Sequence, residues 1–391
     1  MQLRKQRNSN LELLRIISMI LIIFHHFVVH GMFGTDIALT NFNTYILLFM
    51  VMFGKLGVVI FILISAYFMI ETKITLRKLL VLGGEVYFYS FLFLAIGIIL
   101  LTPSSISVEI LGQSLLPISH SGYWFITCYI ILILFSPLMN KGIKSLSEKM
   151  LLKVILVAVI LWSVFPTFIP PMTAYPVQMV YSGNNFQYTP LIWFFVIYLI
   201  GSYIRLYLDI DKLKTNKLII GLVASILITY IGTLFFGYID LTSKAYIWWS
   251  LPIEGIMKNS LFTGVYAENK FFILIASLCL FLLFLKRKEF SNKYINFLAG
   301  SALGVYLIHE NTIVSNLLLW KTLDLPSYYN CPYLVLIGII LVAIIYIVCS
   351  GIDIIRRLTI EKLWIWIIDN KLNSLPKWIE DKTDALIEKF I

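Results

Sequence analysis

"LELLRIISMILIIFHHFVVH", residues 11–30, decides the fold. About twenty mostly apolar residues suffice to cross a bilayer as a helix. This run carries Glu12, Arg15, His25, His26 and His30 as well. Ionisable groups are costly in hydrocarbon, and inside a span they mark function by default. Arg4, Lys5 and Arg7 precede the run. The apolar stretch is too long for a signal-peptide core and no small-residue cleavage site follows it, so it reads as a first permanent span.

The rest of the chain repeats the pattern. Sixty per cent of the 391 residues are hydrophobic and 13% are charged, against about a quarter charged in a soluble domain. Apolar runs predict spans at approximately 11–30, 46–70, 80–101, 122–139, 151–168, 189–208, 218–238, 271–285, 295–320 and 333–352. The fold class is therefore all-α, a polytopic membrane protein of about ten transmembrane helices. The net charge of +10 is a topology signal rather than a nucleic-acid footprint. Its cations fall in alternate loops: Lys73, Arg77 and Lys78 after span two, Lys141 and Lys144 after span four, Arg205 and Lys212 after span six, and Lys286 to Lys288 after span eight. Cytoplasmic loops are enriched in Lys and Arg, so both termini are expected inside. Cys128, Cys279, Cys331 and Cys349 include no CxxC pair, and read as small apolar residues rather than a metal site or disulfide framework.

One membrane domain, 1–352, is expected, followed by a cytoplasmic tail, 353–391. In that tail Leu375, Trp378, Ile379, Lys382, Leu386 and Phe390 recur at helical spacing, the pattern of an amphipathic helix on the inner membrane surface. Three outer loops, roughly 102–121, 169–188 and 239–270, are long enough to fold over a site. Trp248, Trp249 and Glu254 lie in the third; its aromatics suit either the interfacial belt or a sugar ring.

A helix turns about 100° per residue, so Arg15 and His26, eleven residues apart, lie within about 20° of one face and about 16 Å apart along the axis. Glu12 and His30 fall about 60° from Arg15 on the same side, while His25 points about 80° away. A lone histidine would read as a structural hydrogen-bonding group, and a lone Arg as a snorkelling one. The aligned pair, beside a second histidine, does not. "SALGVYLIHEN", 301–311, supplies a counterpart. His309 lies about 21 Å into span nine from the same side as His26, so two imidazoles can meet around one cavity. Glu310 is expected on another face, as structural partner or catalytic group.

At this point the residues resemble a known family. "NSNLELLRIISMILIIFHHF", 8–27, is similar to the first span of the membrane-bound acyltransferase-3 family, whose signature is an Arg, ten residues, then a His: here Arg15 and His26. Glu12 stands where the family generally has Asp. "GKLGVVIFILISAYFM", 54–69, resembles its second span, with Ala66 for the usual Gly and Val59 where many members are polar. "LRKLL", 76–80, "SGYWFITCYIILILFSPLMN", 121–140, and "GVYLIH", 304–309, follow in family order.

The resemblance implies transfer of an acyl group, commonly acetyl, from cytoplasmic acyl-CoA to a hydroxyl of a cell-surface polysaccharide or its lipid-linked precursor. It implies a multi-pass protein of a bacterial plasma membrane. The donor is acetyl-CoA and no metal is expected. Arg15, Arg77 and Lys78 are the candidate holders of the CoA phosphates, since Arg suits phosphate. His26 is the candidate general base, with an ordinary pKa of about 6.5. His309 would orient the acceptor, stabilise the oxyanion or share the base role. Glu12 pairs with Arg15 in a supporting role; His25 is a neighbour of open role. Ser65 reads as packing or hydrogen bonding rather than as a nucleophile. Trp124 and Tyr129 read as scaffold, with Trp124 also placed to contact the acceptor. Lys55 suits a phosphate on a lipid-linked acceptor, or snorkels outward. Direct transfer by this core is expected. The competing classes are a transporter or flippase for lipid-linked oligosaccharide and a glycan polymerase. The first lacks the internal repeats and broken half-helices of transporters; neither needs the Arg-to-His spacing.

Overall fold

A computed structural model describes residues 8–32, 40–102, 105–120, 122–168, 190–243 and 267–374. The main helices are α1 (Ser9–His26), α2 (Phe42–Met69), α3 (Leu76–Leu100), α4 (Val108–Leu115), α5 (Trp124–Ser145), α6 (Glu148–Val159), α7 (Pro190–Leu206), α8 (Thr215–Ser243), α9 (Phe271–Lys286), α10 (Lys293–Ala299), α11 (Ala302–His309), α12 (Leu334–Leu358) and α13 (Ile360–Ser374). No strand occurs among the described residues. Many helices begin where a side-chain oxygen caps an otherwise orphaned backbone N–H: Asn8 for α1, Asn41 for α2, Thr75 for α3, Ser147 for α6 and Asn292 for α10.

Seven helical stretches among the described residues are long and apolar enough to cross a membrane: Ser9–Gly31, Phe42–Met69, Leu76–Leu100, Trp124–Ser145, Glu148–Phe168, Thr215–Phe235 and Leu334–Lys371. The chain is an all-α polytopic membrane protein. Pro190–Leu206 and Phe271–Lys286 are shorter apolar helices at the sixth and eighth expected spans. The ninth expected span is broken. α10 stops at Ala299, α11 ends at His309, and a π-helical turn, Val314–Leu319, follows.

α2 forms the centre, packed against α1, α7 and α9, with 78% of its most apolar window buried. Lipid tails are as apolar as Leu, so close backbone approach and interhelical hydrogen bonds hold such a bundle together. Gly54 and Gly57 provide that approach. A Cβ on Gly57 would sit 2.6 Å from the Ser18 carbonyl oxygen of α1, and one on Gly54 would collide with the His25 ring. On the opposite side, a Cβ on Gly201 of α7 would come within 2.6 Å of Ala66 Cβ. The start of α1 is tied across the chain: Ser9 Oγ donates to Asn296 Oδ1 at 2.7 Å, and the Asn10 amide donates to the carbonyls of Arg287 and Lys288.

α12 continues past residue 352 without a break, and Asp353 and Arg356 are buried. Arg356 holds three carboxylates: Asp353 at 2.9 Å, Glu85 of α3 at 3.0 Å and Glu361 of α13 at 3.0 Å. Tyr89 donates to Asp353 at 2.8 Å. This hub fastens α3, α12 and α13 together. The amphipathic pattern at 375–390, the second outer loop, 169–188, and residues 244–266 of the third, 239–270, lie outside the described residues.

Candidate active site

Arg15 of α1 donates to Glu12 at 2.7 Å and lies 5.9 Å from the centre of the Phe61 ring of α2. Its side chain is partly exposed, 23%. Above it on the same stripe come Met19, Ile22 and His26, at intervals of four, three and four residues. Those three side chains form the α1 wall of a cavity of about 20 Å³, completed by Val58 and Phe61 of α2, Trp124 and Phe125 of α5, and Leu303 and Tyr306 of α11. One helix face therefore carries a cation at its foot, an apolar wall and an imidazole.

His26 Nδ1 lies 2.9 Å from His309 Nε2 and 3.0 Å from Glu310 Oε2; His30 Nε2 lies 3.3 Å from Glu310 Oε1. Partners assign the protons when the rings are neutral. His309 Nδ1 faces the carbonyl of Val305 at 2.5 Å, a pure acceptor, so Nδ1 carries the hydrogen and Nε2 a lone pair. His26 Nδ1, facing that lone pair and a carboxylate oxygen, must then be the donor. The free lone pair of His26 is on Nε2. Glu310 Oε2 is buried without a hydrogen-bond partner, leaving it available to an imidazolium at His26.

Glu310 was expected on another face of span nine. That expectation fails because it continues the helix too far. α11 ends at His309, with Glu310 as its C-cap. The following turn is held by Asn311, whose Oδ1 accepts from Ile313 N at 3.1 Å and whose amide donates to Tyr123 Oη at 2.7 Å. Tyr123 in turn donates to the Leu307 carbonyl at 2.9 Å. The break swings the carboxylate towards α1. The "HEN" triplet carried a readable signal, since Asn caps helices and interrupts them. The π-helical turn Phe27–Gly31 carries His30 beyond α1 and keeps its ring 5.1 Å from that of His26.

Other candidates are engaged elsewhere. His25 hydrogen-bonds the Val51 carbonyl at 2.5 Å and seats against Gly54, locking α1 to α2. Arg77 binds Asp369 of α13 through two hydrogen bonds, 2.7 and 3.1 Å, and Lys78 donates to the Lys73 carbonyl at 2.8 Å. Ser65 donates to the Phe61 carbonyl and accepts from Tyr129 Oη at 3.2 Å. Trp124 stands at the first position of α5, on the cavity. Lys55 pairs at 3.2 Å with Glu268, a buried residue just before α9. Cys128, Cys279, Cys331 and Cys349 are free thiols.

His26, His30 and Glu310 present ligand atoms within 4.8 Å of one another. Such N,N,O donors suit a divalent transition metal. Within the cluster His26 Nδ1 is hydrogen-bonded to His309 and His30 Nε2 to Glu310 Oε1.

A family model described as an acyltransferase domain matches residues 8–351. No curated protein and no solved structure matches the chain.

Proposed function

Because the chain belongs to the membrane-bound acyltransferase-3 family, we propose that it moves a short acyl group, acetyl in the first instance, from cytoplasmic acyl-CoA to a hydroxyl of an envelope polysaccharide or its lipid-linked precursor. It would act in a bacterial plasma membrane with both termini cytoplasmic, as the alternating basic loops imply. That it is a membrane acyltransferase follows from the family; donor, acceptor and residue roles are proposed.

The carrying observation is the α1 face that runs from Arg15 through Met19 and Ile22 to His26 beside a cavity. Acyl-CoA has matching parts: phosphates, a long thin arm and a terminal thioester. Arg15 would take a phosphate, the arm would lie along Met19 and Ile22, and the thioester would reach the cavity. Arg77 and Lys78 would join Arg15 only by exchanging their present partners.

In the transfer, the acceptor oxygen attacks the thioester carbonyl carbon while His26 Nε2 takes the hydroxyl proton. Glu310 stabilises the imidazolium formed, through the Nδ1 side. The tetrahedral intermediate collapses, the carbon–sulfur bond breaks, and the CoA thiolate takes the proton back from His26. Proton and charge balance without an outside base. His309 fixes the His26 tautomer, a role that rests on its own bond to Val305.

The test is radiolabelled acetyl-CoA supplied to proteoliposomes holding the purified protein and envelope glycan. Label in the glycan, released as acetate by mild alkali, supports an ester product. Absence of label transfer and of acetyl-CoA consumption would overturn the proposal.

A further inference from the structure

Resting on the proposed acyl transfer, we infer that Tyr306 is a further catalytic residue: its buried hydroxyl, on a residue that lines the cavity, donates to the carbonyl oxygen of the thioester as that oxygen becomes an anion. The attack described above moves the carbonyl π pair onto oxygen. His26 cannot hold that charge, because its free nitrogen is occupied with the attacking hydroxyl. Some other donor must face the same carbonyl carbon.

The cavity offers few. Met19, Ile22, Val58, Phe61, Phe125 and Leu303 bring only apolar side chains to it, which leaves the Trp124 indole N–H and the Tyr306 hydroxyl as side-chain donors besides His26. Tyr306 is different. It is 5% exposed, and its hydroxyl has no hydrogen-bond partner. A buried hydroxyl with its hydrogen unspent costs roughly 1–3 kcal/mol, a cost a fold without a use for it avoids with Phe. The Tyr306 ring is held edge-on to His309 at 6.2 Å, and lies 5.5 Å from that of Phe125. The base, His26 of α1, and the donor, Tyr306 of α11, thus line the same cavity.

The experiment compares wild type, Tyr306→Phe and His26→Ala in proteoliposomes, reading kcat and the KM for acetyl-CoA. Tyr306→Phe keeps the ring and removes one oxygen. The expected result is kcat lowered roughly 10- to 1,000-fold, with KM within about twofold and thermal unfolding unshifted or raised. A kcat less than about tenfold below wild type, or a loss confined to KM, would overturn the inference. Should the Phe variant not accumulate, 3-fluorotyrosine at position 306 replaces it: a changed kcat at constant KM supports the role, and an unchanged kcat removes it. An inactive wild type would instead defeat the acyl-transfer proposal, so the two failures are distinct.

Discussion

Replacing Glu310 by Gln tests the histidine cluster at its most informative atom. The substitution keeps size and hydrogen-bonding capacity and removes one negative charge. In the ground state His26 is neutral, so the loss is small. In the transition state an imidazolium forms at His26, whose Nδ1 lies 3.0 Å from Glu310 Oε2. With charge centres about 4 Å apart and an effective dielectric of about 20, the lost attraction is about 4 kcal/mol. Each 1.36 kcal/mol is a factor of ten in rate, so the upper expectation is roughly a thousandfold fall in kcat. His30 shares the same carboxylate at 3.3 Å and residual water screens the site, so roughly 100-fold is the working figure. The KM for acetyl-CoA should stay within about twofold, because Glu310 is remote from the Arg15 end of the stripe. The assay is label transfer from acetyl-CoA to glycan over a concentration series, on variant and wild type matched for membrane content. A Gln variant with kcat within threefold of wild type would refute the pairing of Glu310 with an imidazolium.

Three further outcomes follow from other parts of the structure. Arg15→Ala should raise the KM for acetyl-CoA roughly tenfold or more, the scale of a lost charge-assisted hydrogen bond, with kcat within threefold; a kcat defect at unchanged KM would assign Arg15 elsewhere. Gly54→Ala places a methyl against the His25 ring and should destabilise by about 1–3 kcal/mol, read as a lowered midpoint of thermal unfolding in detergent; an unshifted midpoint would contradict the close α1–α2 approach. Arg356→Met strands Glu85, Asp353 and Glu361 and should cost about 3–5 kcal/mol, seen as loss of folded protein from the membrane; normal accumulation and stability would show that the hub is not structural.

Much of the fold is legible because bilayer thickness sets a length and apolar runs meet it. The first expected span, 11–30, corresponds to the helical stretch Ser9–Gly31, and the fifth, 151–168, to Glu148–Phe168. The ninth departs because periodicity treats 295–320 as one cylinder. Gly300 with Ser301 and then Glu310 with Asn311 interrupt it. The helix wheel consequently located His26, which precedes the π-helical turn, and misjudged Glu310, which follows a break. Partners separated by long stretches of chain are not written in local spacing at all. Lys55 and Glu268, His30 and Glu310, and Arg77 and Asp369 meet only through tertiary packing. Tyr306 stood inside the quoted "GVYLIH", but one tyrosine among many apolar neighbours gives no sign that its hydroxyl is unspent.

The central claim is that His26 performs base chemistry at the upper end of an acyl-CoA path that begins at Arg15. The most direct measurement is made on purified His26→Ala protein, reconstituted in lipid, with acetyl-CoA binding and acetyl transfer followed on the same sample. Binding within about threefold of wild type, with transfer reduced to background, is the predicted result. Transfer at the wild-type rate in that variant would contradict the account.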